Sequence, residues 1–225
     1  MPESFDVDDS MLEYPPDDGS VIELEKSENI GDVPLAGEPT ETIRGVVSIK
    51  VGDKITTDHI MPAGSRLKYR SNIEKYSRFV FEGVDAGFVS RAKQNMDNGS
   101  ANFIIAGESY GQGSSREHAA MCPMRLGVKA VLAKSIERIH RTNLINFGIL
   151  PAVFEDAIDY DNVESGDDLE FQGVIDCLKS GGGLILRNRS RGVDIAVSID
   201  LSSRERDIML AGGLLNYVRM AEANI

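Results

Sequence analysis

Tryptophan is absent from this chain, and cysteine occurs twice and histidine three times in 225 residues. Each scarcity removes a class of chemistry. Cys122 and Cys177 lie far apart, in no Cys-x-x-Cys or Cys/His spacing, so they read as single buried thiols and not as a redox pair or a disulfide. Two cysteines cannot furnish the thiolates of an iron–sulfur cluster, and His59, His118 and His140 lack metal-ligand spacing. The chain alone is therefore expected to bind no metal or cofactor. No stretch approaches the roughly eighteen consecutive apolar residues of a membrane span, and the N-terminal stretch is acidic where a signal peptide would be basic and then apolar. These features predict no membrane partner and a cytoplasmic or matrix-like compartment. Positive charge is also short: the formal net charge is −12, which repels a phosphate backbone and argues against a nucleic-acid partner. A small anionic substrate stays open, because a few arginines in a cleft outweigh diffuse surface charge at short range.

What is present suits one large domain with a tail, since apolar residues make up 41% of the chain. Residues 1–41 are rich in Asp, Glu, Pro and Gly, as in Tyr14-Pro15-Pro16-Asp17-Asp18-Gly19, and read as an acidic extended linker or arm. Val21-Ile22-Glu23-Leu24 is its one possible short strand. From 42 to 225 the pattern predicts a single α/β domain. Ile43, Gly45, Val47, Ile49 and Val51 alternate as a strand does. Helices are expected around Ile73–Phe81 and Ala86–Met96, a buried strand at Phe103–Ala106 and a helix from Ser115 to about Leu126. A strand at Ala130–Ala133, a helix from Ser135 to Phe147 and a strand at Ile149–Phe154 follow. In the helix of 135–147, Ile136, Ile139, Leu144 and Phe147 should face inward, and His140 should pack. Beyond Asp156 come shorter strands at 169–172, 184–187 and 193–199, then a helix opened by Ser202 and Glu205. The alternation implies a mixed sheet with flanking helices.

The run Gly-Gln-Gly-Ser-Ser-Arg-Glu-His-Ala-Ala at 111–120 is the most informative stretch. Its glycines permit backbone angles closed to other residues, so the loop can approach a ligand. Ser114 and Glu117 have capping-box spacing, which would set both serines and Arg116 at the positive end of a helix. Two readings follow: a plain helix cap, or an anion-binding loop.

Further clusters accompany it: "GDKITTDHIMPAG" at 52–64, "LKYR" at 67–70, "GESYGQGSSREHAA" at 107–120 and "LGVKAVLAKSIERIHRTNLINFGILP" at 126–151. In this order they resemble the aconitase family, specifically its C-terminal swivelling β/β/α domain. The resemblance implies a hydro-lyase that removes water from a hydroxy acid and adds it back, converting citrate to isocitrate through cis-aconitate. It implies that a hydroxyl leaves toward an iron of a [4Fe–4S] cluster held by other domains or a partner subunit. By motif position Ser114 matches the catalytic base, Arg70 and Arg116 match carboxylate clamps, Ser115 a substrate-binding hydroxyl, and Asp58 a carboxylate that orders the site. A guanidinium suits the clamp because it makes two parallel hydrogen bonds to a carboxylate. His59 and His118 are expected to make structural hydrogen bonds. Met61 departs from the pattern: better-known aconitases carry a serine there, near the substrate. The implied partners are a tricarboxylate substrate and the cluster-bearing aconitase domains, on the same polypeptide or a large subunit, without which the chain would be inactive. The alternatives are a small subunit of homoaconitase or isopropylmalate isomerase, or a non-catalytic carboxylate- or RNA-binding module.

Overall fold

The computed structural model describes residues 8–23 and 25–222. Four strands lie side by side and parallel: β1 (Thr42–Val51), β2 (Ala101–Ala106), β3 (Val128–Ala133) and β4 (Leu150–Phe154). Three antiparallel strands complete the sheet: β5 (Asp168–Gln172), β6 (Leu184–Asn188) and β7 (Val193–Ser198). In the spatial order β1-β2-β3-β4-β7-β6-β5, β5 returns to pair with β1, so the expected mixed sheet is closed into a barrel.

The strands have the composition their positions require. In β2 and β3 almost every residue is buried, because both faces of the parallel half are covered, one by the barrel interior and one by helices. Phe103, Ile105, Leu132, Phe171 and Leu186 fill the interior, while Ile104, Val131 and Ala133 pack outward with helical residues. In β6, Leu184 and Leu186 are buried and Ile185 and Arg187 face solvent, the alternation of a half-covered antiparallel strand. Two bulges interrupt the register: Ser48 is the extra residue of β1 against β2, and Lys129 that of β3 against β2. The outward-facing Asn102 is wholly buried and fully partnered. It accepts from Ser48 Oγ and Asn95 Nδ2 and donates to the carbonyls of Ala92 and Leu126 at 2.9 and 2.8 Å.

The helices are α1 (Thr57–Ile60), α2 (Ile73–Tyr76), α3 (Phe88–Asp97), α4 (His118–Arg125), α5 (Arg138–Asn146), α6 (Val174–Ser180), α7 (Ser203–Leu210) and α8 (Leu214–Glu222). Several expectations need correction. The helix expected over 73–81 stops after one turn and continues as a 3-10 turn at Ser77–Phe79. The possible strand at 21–24 is not one: Gly19–Val21 form a 3-10 turn capped by Asp18, and Leu24 lies outside the described residues. Sequence reading missed α6, which Gly173 and Gly181 bracket at φ 74° and 78°. It also missed the break between α7 and α8 at Gly212 and Gly213. A side chain at Gly212 would meet the Gly37 carbonyl oxygen at 2.7 Å, because the N-terminal arm crosses there. The arm is pinned by Asn216 Nδ2 donating to Ala36 at 2.9 Å and by Gly31 N–H donating to Ser71 at 2.8 Å.

Candidate functional site

The segments following β1, β2 and β3 leave the barrel at one end, beyond the carboxyl ends of the parallel strands, where α/β sheets commonly gather ligand groups. Backbone bonds tie these segments together. Gly111 N–H donates to Ile55 at 2.7 Å, Thr57 N–H to Gln112 at 2.9 Å, Tyr110 N–H to Ser135 at 3.0 Å and Glu137 N–H to Tyr110 at 2.9 Å.

Side chains complete the assembly. Thr56 caps α1 through a reciprocal pair: His59 N–H donates to Thr56 Oγ1 at 3.2 Å, and Thr56 N–H donates to His59 Nδ1 at 3.1 Å. This short helix presents Asp58, whose carboxylate accepts from Arg116 Nη1. His118 Nε2 lies 3.0 Å from the Arg70 carbonyl, so that nitrogen carries the proton and donates. The Tyr76 ring packs edge-on against His118 at 5.3 Å, and its hydroxyl donates to Pro62 at 2.9 Å. The segments carrying Asp58, Arg70 and Arg116 therefore meet on one rim, and both histidines make the expected structural bonds. Asp58, Arg70, Ser114 and Ser115 are exposed, and Arg116 is partly buried. The hydroxyls of Ser114 and Ser115 and the guanidinium of Arg70 have no partner among the described residues. Arg116 engages Asp58 and the Met61 carbonyl through Nη1 alone, which leaves its Nε and Nη2 edge uncommitted.

The expected capping box is not formed. α4 begins at His118, not Ser115, and its N-cap Glu117 makes no side-chain cap bond. Two features hold the preceding residues out of the helix. Gly111 and Gly113 sit at φ 85° and 111°, and the Arg116 side chain is drawn toward Asp58, while its N–H donates to Ser114 at 2.8 Å in a tight turn. Ser114 thus lies ahead of the helix and takes no cap position. Met61 is wholly buried in the outer core and does not reach the surface of the rim.

His140 has a larger part than a packing helix residue. It is buried beneath Gly111, where an added Cβ would lie 2.2 Å from the ring, and it meets Tyr110 edge-on at 5.2 Å. Neither ring nitrogen has a partner among the described residues, and burial pulls its pKa down to about 4. The helix is rotated relative to expectation: His140, Leu144 and Ile145 face inward, and Ile139 is 42% exposed. The i, i+4 spacing of His140 and Leu144 was the available signal.

The donor set does not fit an iron–sulfur cluster. No group of three His, Cys, Asp or Glu among the described residues could share a metal ion. Cys122 and Cys177 belong to different cores, and burial pushes both thiols up, opposite to the requirement for a ligating thiolate. No helix among the described residues is long and apolar enough to cross a membrane.

Comparison with known proteins gives the pattern a family. The small subunit 2 of 3-isopropylmalate dehydratase from Archaeoglobus fulgidus is 38% identical over 170 residues, which cover 76% of this chain and 91% of that protein. The chain belongs to the aconitase family. The model of the aconitase C-terminal domain matches residues 53–157, which contain the whole rim. A probable mitochondrial aconitate hydratase of Dictyostelium discoideum is 35% identical over 199 residues, 79% of this chain, but the chain spans only 26% of that protein. The crystal structure of a 3-isopropylmalate dehydratase from Methanocaldococcus jannaschii superposes with a TM-score of 0.66 at 31% identity, covering 81% of this chain and 96% of that one. The barrel with its helical jacket is thus an aconitase-type domain.

Proposed function

We propose that this chain is the swivelling half of an aconitase-type hydro-lyase, acting on citrate and isocitrate through cis-aconitate. In this reading residues 42–225 form the catalytic half-domain and residues 1–41 its tether. Ser114 removes a proton from a carbon beside a substrate carboxylate. Arg116 and Arg70 hold carboxylates, Ser115 hydrogen-bonds substrate, and Asp58 fixes Arg116. The observation that carries the reading is the meeting of three motif segments on one rim, with the Nε and Nη2 edge of Arg116 free for a bidentate carboxylate. In this reading the guanidinium of Arg116, two residues along the loop from Ser114, stabilises the charge that builds on the substrate carboxylate during proton removal.

The exposure of Ser114, Ser115 and Arg70 fits a half-site completed by a second surface. We assign the [4Fe–4S] cluster to that second body, either further domains of one polypeptide or a large subunit. The test is hydration of cis-aconitate by the chain alone, by a cluster-bearing partner, and by the two mixed. Only the mixture should turn over, and activity of the chain alone would overturn the half-site model.

A second reading, a small subunit acting on homoaconitate or isopropylmalate, is favoured by one observation: the match spans nearly the whole of an isopropylmalate dehydratase small subunit. Arg70 supports the tricarboxylate, because it offers a guanidinium where the resemblance implies an apolar contact for alkylmalates. Presenting the active mixture with each acid separates the two, and preference for an alkylmalate selects the second.

A further inference from the structure

At the opposite end of the barrel from the serine loop lies a cavity of about 410 Å3. It is ringed by the first residues of the four parallel strands, and the arm residues Gly37–Thr40 form one wall. Ile43, Leu150, Val174 and Met209 give it an apolar lining. The volume falls in the range of small-ligand pockets.

Its charges are unbalanced. Lys129, the bulge residue of β3, lines the cavity, is only partly exposed, and has no hydrogen bond or ion pair among the described residues. An ammonium that gives up water without gaining a partner is costly, and burial lowers the pKa of this one. Arg44, also in the wall, is committed to Asp168 through Nε at 3.0 Å and through Nη2. Glu38 stands in the wall without pairing with Lys129. One cation is therefore uncommitted, and a carboxylate nearby opposes a second negative charge. Bulges of this kind re-aim side chains and are frequent beside functional sites.

We infer that this cavity binds a small amphipathic monocarboxylate, its carboxylate on Lys129 and its alkyl chain against the apolar walls. The site is remote from the rim and independent of the reaction proposed for it.

The test is calorimetric titration of the chain with octanoate, compared with suberate, a dicarboxylate of equal length, and with octanol. The expected result is saturable octanoate binding, weakened about tenfold or more by Lys129→Gln and kept within a few-fold by Lys129→Arg. Suberate and octanol should bind at least about tenfold more weakly than octanoate. Ser100→Phe, which projects a ring from the cavity lining, should abolish binding. Absence of saturable binding by the native chain overturns the inference, as does octanoate affinity unchanged in Lys129→Gln or in Ser100→Phe. Suberate binding as tightly as octanoate overturns it too. Circular dichroism checks the fold of each variant, and if Lys129→Gln does not fold, the Lys129→Arg and Ser100→Phe results decide.

Discussion

Gly111 shows how much of the rim depends on one residue without a side chain. Its φ of 85° disfavours any other residue, and a Cβ would collide with the His140 ring. Gly111→Ala should therefore lower unfolding free energy by about 3 kcal/mol or more, measured by urea denaturation. His140 itself makes stability depend on pH. Its folded pKa of about 4 lies below the 6.5 of a free imidazole, so above pH 6.5 neither state binds the proton and its contribution is complete. As pH falls the unfolded chain protonates first, and stability drops until the folded pKa is passed, a loss of about 3 kcal/mol. Urea midpoints between pH 7 and pH 4 should fall accordingly, and His140→Leu should flatten that limb. At the chemical position the expectation is different: in the reconstituted mixture Ser114→Ala should abolish turnover and leave substrate binding nearly unchanged, as removal of a base requires. Equal losses of both would make Ser114 a clamp. The candidate residues were named from the resemblance of their motifs, and the structure brings the segments of Asp58, Arg70 and Arg116 together. Burial of Met61 and the contact of His140 with Gly111 were not legible in the sequence, since both come from packing between distant segments.

The same Ser-x-x-Glu signal occurs twice in this chain with opposite outcomes. At Ser202 the box is complete: Glu205 N–H donates to Ser202 Oγ at 3.3 Å, Ser202 N–H donates to Glu205 Oε2 at 2.8 Å, and Arg141 holds the other oxygen at 2.9 Å. At Ser114 the flanking glycines and the Arg116–Asp58 pair pull the chain off the helical path. Local pattern suffices to start a helix only where no tertiary bond competes for the same residues. Ser202→Ala should cost about 1 kcal/mol, while Ser114→Ala should leave stability within about 0.5 kcal/mol. Thermal and urea unfolding of the two variants side by side measure the contrast, and an equal loss at Ser114 would mean that a cap forms there after all. Strands β1 to β4 were readable from apolar runs and alternation. The helix α6 was not, because it is short and enclosed by glycines that also read as turns.

Over the whole molecule, the parallel half was anticipated by its alternating strands and helices, but closure was not. Nothing local in β1 announces that β5, more than a hundred residues later, will pair with its outer side. The barrel is not uniformly knit: β4 and β7 share only the pairs Val153–Ser198 and Phe154–Val197, whereas β1 and β2 share six. Native-state hydrogen exchange should find the amides bridging β4 and β7 opening before those between β1 and β2. Equal protection at both seams would show that the barrel opens only as a unit.

Closure has a further consequence for a body exposed on one rim. Every strand in the described sheet has a neighbour on each side, so apart from the short β4–β7 seam no full-length edge is offered to another chain. Recruitment of a stray β-segment, the common route from a partly exposed sheet to aggregates, is confined to the short β4–β7 seam. On the half-site reading proposed above, an uncovered rim therefore does not bring with it an open sheet edge.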